Sequence, residues 1–188
     1  MRFPALCLAL LAALAGCGTE DNTVISGLPG FILSPVRSSI STRATFTDAN
    51  GGQHPQWVIA MADVPDLCTK LTAHPDYFRN AIENFDAVLV WVPPGNIGTF
   101  FVGQAIAGSE VNDEVLVGIA PADGGAPRVV RFPGIGGGGA NIGLSQFDVG
   151  GEAMGSFDVL VSDGGIPREI IGKFKATYCA GAEQVQLP

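Results

Sequence analysis

Basic residues are scarce in this chain. Lys and Arg number 10 against 18 Asp and Glu, for a net charge of −8. A surface this acidic repels phosphate backbones, so nucleic acid is not the expected partner. Charge of either sign is thin too, at 15% of residues where ordinary domains carry about 25%. That excludes a disordered acidic tail and a coiled coil, both of which need dense charge. Histidine occurs only at His54 and His74, with no HExxH between them. A zinc centre needs three or four ligands at recognisable spacing, so both histidines are expected on solvent-facing loops and no metal is expected. No CxxC pair and no GxSxG nucleophile elbow is present. Catalytic triads are recognised by geometry alone, however. An exported hydrolase using His54 or His74 as base therefore stays open as an alternative.

What is abundant is glycine and proline, 26 and 13 residues, about a fifth of the 188. Such a composition suits many short strands joined by tight turns. A length of this order supports one domain with a proper core and is short for two.

Met1-Arg2 begins the chain with a short positive region, and Phe3–Ala15 is an apolar run rich in Leu and Ala. About 13 apolar residues cannot cross a ~30 Å hydrocarbon core as a helix, which takes roughly 20. The run has the length and flanks of a signal peptide. It ends in Leu14-Ala15-Gly16-Cys17, which resembles the lipobox of bacterial lipoproteins. The resemblance covers only these residues and implies a sorting class. It implies cleavage after residue 16, lipidation of the Cys17 thiol, and a cell-envelope location. Gly18, where an Asp would mark inner-membrane retention, favours the outer membrane in a diderm host. The alternative is an ordinary secretory signal cut near Ala15-Gly16. Gly18–Ser26 is polar enough to serve as a tether, so residues 17–26 are expected to link the anchor to a domain spanning 27–188.

The other cysteines outside the signal are Cys68 and Cys179. In an oxidising compartment such an even pair is most often a disulfide. It would close a long loop and fasten the middle of the chain to its end.

Apolar residues alternate in several segments, as in half-buried strands. Ile170, Phe174, Ala176 and Tyr178 share one face with Gly172 between them, and Phe157, Val159 and Val161 share another. Asp86–Val92 is apolar almost throughout and reads as a central strand covered on both sides. Further strands are expected at 40–47, 56–62, 99–104, 114–119, 128–132 and 142–149, the last with a bulge between Leu144 and Phe147. Asp63-Val64-Pro65 is expected to cap a short helix bearing Leu67 and Leu71. Pro75 breaks it, and a second turn pairs Phe78 with Ile82. Val115-Leu116-Val117 and Val159-Leu160-Val161 each lead to the same turn string, Asp123–Arg128 and Asp163–Arg168. Asp-Gly at its head signals a hairpin.

The fold expected is all-β, an antiparallel β-sandwich with a short helical insertion near residues 63–84. Three glycine-rich or acidic segments suggest sites and fail on chemistry. Gly134–Gly139 matches GxGxxG, but no helical period follows to hold a dinucleotide. Asp48–Gly52 and Asn112–Glu114 lack the carboxylates of a calcium loop. Trp57 and Trp91 fall in strands, where core packing is the default. The expectation is a lipid-anchored envelope protein that binds or assembles, not an enzyme, with no cofactor. The membrane is its partner through the lipid, and another envelope protein is the second. A carrier of small apolar ligands is the remaining alternative.

Overall fold

The computed structural model describes residues 22–47, 52–80, 82–92, 98–101, 115–119, 128–131, 141–163 and 165–186. Its first half forms β1 (Thr23–Ser26), β2 (Ser38–Thr47), β3 (Gln53–Ala62), α1 (Leu67–Ala73), α2 (Tyr77–Asn80) and β4 (Asp86–Val92). There follow β5 (Gly98–Phe101), β6 (Val115–Ile119), β7 (Arg128–Arg131), β8 (Asn141–Phe147), β9 (Glu152–Asp163) and β10 (Ile166–Tyr178). The fold is all-β, with the two short helices inserted where Pro75 separates them.

Hydrogen bonding runs in the order β5-β8-β9-β10-β2-β3-β4-β6-β7, and β1 lies beside β10. Every described pairing is antiparallel except β10 with β2, which are parallel and matched only at Thr177–Ile40 and Tyr178–Ser41. The strands on either side of that short seam face each other. Trp57, Ile59 and Met61 of β3 and Val88, Val90 and Val92 of β4 meet Ile142, Leu144, Phe157, Val159, Ile170 and Phe174. The all-β expectation holds, but the two facing layers are parts of one continuous mixed sheet and not two separate antiparallel sheets. Among the described residues the departure from antiparallel pairing is the β10–β2 seam, which joins the two layers by hydrogen bonds.

The alternate side chains of β3 and β4 build a second core. Val58, Ala60, Ala87, Leu89 and Trp91 are covered by Leu67 and Leu71 of α1 and by Tyr77 and Phe78 of α2. β4 is thus buried on both faces, as its unbroken apolar run demands. Tyr77, Phe78 and Phe85 pack ring against ring at 5.3–5.6 Å between centroids.

Glycine is required at two places between β9 and β10. Gly172 stands opposite Phe157 and Gly155 opposite Phe174. A Cβ on Gly172 would lie 2.3 Å from the Phe157 ring, and one on Gly155 would lie 2.6 Å from the Phe174 ring. Each phenylalanine therefore lies over the bare backbone of its neighbour. The β9–β10 hairpin closes between Asp163 and Ile166, with Gly165 at φ +88°, as the Asp-Gly signal anticipates. The expected bulge in β8 is also present, between Leu144 and Gln146.

Four local expectations are corrected. Residues 17–26 are not all tether, because Thr23–Ser26 pairs with Lys173–Ile170 as β1. Val24 packs on the first core there, along a stretch of the β10 edge that β2 does not reach. His54 belongs to β3, opposite Phe46, not to a loop. Ile82 is exposed, because α2 ends at Asn80 and so makes no helical pair with Phe78. The N-cap of α1 is Asp66, at φ 59° with no side-chain cap bond, because the Asp63 carboxylate is engaged elsewhere.

Candidate functional site

The Cys68–Cys179 disulfide joins α1 to the residue that follows β10, with a Cα–Cα distance of 5.6 Å and 111 residues between the cysteines. Around it the Cys179 N–H donates to the Ser41 carbonyl at 2.7 Å, and Thr42 Oγ1 donates to the Cys179 carbonyl at 3.2 Å. The helical layer is thereby tied to the β10–β2 seam.

Beside it, the segment before β2 crosses the ends of β3 and β4 and leaves an open cleft of about 390 Å³. Its polar lining is Ser34, Arg37, Asp63, Glu83 and Asn84, with Ile32, Pro35, Val64 and Pro65 as its apolar part. Two carboxylates organise the backbone around it, Asp63 in the lining and Asp86 behind it. Asp86 N–H donates to Asp63 Oδ1 at 2.9 Å, and Asp63 N–H donates to the Asp86 carbonyl at 3.1 Å. Asp86 Oδ2 accepts the Ile32 N–H at 3.0 Å, which pins the crossing segment. Burial pushes the Asp86 carboxyl above its ordinary pKa against the pull of that N–H, and the charge of Asp63 adds to the rise.

At the rim, Glu83 accepts from both Lys70 Nζ and Tyr77 Oη, the latter at 2.6 Å. The Lys70 bond chiefly, and Tyr77 after it, hold the Glu83 carboxyl below its ordinary pKa. Burial, and then Glu83, drive the Tyr77 phenol upward. Lys70 Nζ also sits 5.8 Å from the centre of the Tyr77 ring, within cation–π range.

These groups are committed to one another. Asp63 and Asp86 spend lone pairs on backbone donors, and Glu83 is held by a lysine and a phenol. The arrangement can hold a polar group by its rim, with Arg37 as an exposed donor. Among the described residues no three His, Cys, Asp or Glu side chains gather where a metal ion could sit. No helix among them is long and apolar enough to cross a membrane.

No protein-family model, curated protein or solved structure matches the chain. The sequence-derived candidates scatter. His74 is exposed at the C-terminal cap of α1, where its N–H donates to the Lys70 carbonyl at 2.8 Å. The backbone of His54 lies in β3, and its side chain falls outside the described residues. Cys17, the Gly134–Gly139 run, Asp48–Gly51 of the first acidic segment, Asn112–Glu114 and the Asp123–Pro127 turn also lie outside them. Trp57 and Trp91 are both buried, and Trp57 stacks on Phe147 at 4.1 Å. The cleft itself escapes a sequence reading. Asp63 and Asp86 are 23 residues apart, and only the pairing of β3 with β4 brings them together.

Proposed function

We propose that this chain is a lipid-anchored cell-envelope protein that acts by binding or assembly and not by covalent catalysis. Cys17 carries the lipid after cleavage behind Gly16, and the domain stands in the envelope, at the outer membrane in a diderm host. The observation that carries the reading is the Cys68–Cys179 disulfide in a chain that opens with a lipobox-like Leu14-Ala15-Gly16-Cys17. A disulfide belongs to an oxidising compartment, and the lipobox resemblance supplies an independent route there. Asp63, Asp86 and Glu83 each accept hydrogen bonds from the fold itself, which makes them part of the framework around the cleft. The polar cleft beside Arg37 is a surface on which an envelope partner could be held.

The test is crosslinking in intact cells followed by affinity purification and mass spectrometry, with Cys17→Ser in parallel. A reproducible partner that disappears with Cys17→Ser is the expected result. Recovery of the chain alone, or of the same partners without the cysteine, would overturn the reading.

A further inference from the structure

The outward face of β1, β9 and β10 carries large apolar side chains in solvent. Ile25 stands opposite Ile171, and Leu160 opposite Glu169 on the same side of the sheet. Ile25 is 71% exposed and Ile171 40%. Alternation explains why they point outward, since the inward positions Val24, Ile170 and Phe174 already fill the first core. Nothing in that core requires isoleucine on the other side.

The direction of β1 shows what lies near this face. Thr23 is matched with Lys173, and Lys175 N–H donates to Asn22 Oδ1 at 2.8 Å. The chain is therefore held against β10 from Asn22 onward. Between Cys17 and Thr23 there are six residue steps, a reach of at most about 20 Å. Lysine occurs three times in the sequence, at Lys70, Lys173 and Lys175. Two of the three are on this face, at the end where the N-terminal segment joins, and Lys173 is exposed. Acidic groups share the face: Asp158 lies opposite Ile171, Glu169 lies toward the far end, and Lys175 Nζ pairs with Glu152 Oε1 at 3.5 Å.

We infer that the outward face of β1 and β10, with Ile25 and Ile171 beside Lys173 and Lys175, rests on the lipid surface that holds Cys17. The inference rests on the lipid-anchor reading of Cys17. A tether this short confines the domain close to the bilayer, and the face beside it holds Ile25 and Ile171 in solvent with the exposed Lys173 next to them. The helical layer, covering β3 and β4 on the opposite side of the sandwich, then faces away from the membrane.

The test uses the full lipidated chain in vesicles of phosphatidylethanolamine and phosphatidylglycerol. Each lysine is acylated with an amine-reactive ester and its modification measured by mass spectrometry, with Lys70 of α1 as the internal reference. Soluble Cys17→Ser protein supplies the unbound state. Labelling of Lys173 relative to Lys70 should fall about threefold or more on vesicles. It should recover in a lipidated Ile25→Glu/Ile171→Glu variant, whose changes are at exposed positions. A chain whose intact mass shows lipid on Cys17, but whose Lys173 labelling is unchanged on vesicles, would overturn this inference and leave the anchor standing. A chain without lipid on Cys17 would overturn both. Protection of Lys173 in the soluble protein that grows with its concentration would assign the face to a second copy and also overturn it.

Discussion

Ser41 has no exposed surface, and its hydroxyl has no partner among the described residues. A buried, unsatisfied hydroxyl costs about 1–3 kcal/mol. Ser41→Ala should accordingly leave the urea midpoint unchanged or raise it, by up to about 1 kcal/mol of stability. A lowered midpoint would mean the hydroxyl has a partner. Gly172→Ala should act the other way, because its Cβ would meet the Phe157 ring at 2.3 Å and the Thr23 carbonyl at 2.9 Å. Overpacking of this kind costs about 1–3 kcal/mol, read in the same titration. Combining it with Phe157→Leu should cost less than the sum of the two changes. Glu83 gives a pH-dependent case. Its carboxyl titrates below its ordinary 4.5 because Lys70, then Tyr77, hold the ionised form. The stabilisation is therefore present above the unfolded value and lost as pH falls through the folded one. Wild type and Glu83→Gln should differ by less than about 1 kcal/mol near neutrality, the pair being exposed. That difference should close below pH 4.5, as followed by thermal melts across pH.

At the scale of elements, the helical insertion and β1 show how far local pattern reaches. The break at Pro75, the burial of Leu67 and Leu71, and the extent of β4 are legible because each follows from neighbours in sequence. β1 is not legible, although Thr23-Val24-Ile25 is β-branched throughout. Four residues flanked by polar chain become a strand only because β2 leaves part of the β10 edge unpaired. The α1 terminus is similar. The donor at Leu67 N–H is met by Ser38 Oγ from β2, at 3.3 Å, and not by its own capping residue. The disulfide secures this insertion to the seam. A loop of this length is worth roughly 4–5 kcal/mol in the chain-entropy account. The Cys68→Ser/Cys179→Ser pair should lose stability of that order in guanidinium titrations, and adding reductant to that variant should change nothing further.

At the scale of the molecule, β3 and β4 belong to both cores through alternate residues. Neither layer can lose its packing without uncovering a strand shared with the other. The cores should therefore unfold together, and each contains one tryptophan, Trp57 in the first and Trp91 in the second. Trp57→Phe and Trp91→Phe should each show a single fluorescence transition that coincides with the loss of far-ultraviolet circular dichroism in the same variant. Separate midpoints within either variant would show that the layers are independent.

Much about this protein is local and therefore determined by the sequence alone. Strand alternation, the Asp-Gly hairpin of β9 and β10, the kinked helical insertion and the pairing of Cys68 with Cys179 depend on side chains a few residues apart or on a count of cysteines. Tertiary structure decided what depends on contacts distant in sequence. It placed the parallel seam of β10 on β2, and it brought Asp63 and Asp86 together beside a cleft. It also recruited Thr23–Ser26 into the sheet, with Ile25 on its outer face. These follow from which strands pair and which edge remains open afterwards, and no periodicity within a single segment records that.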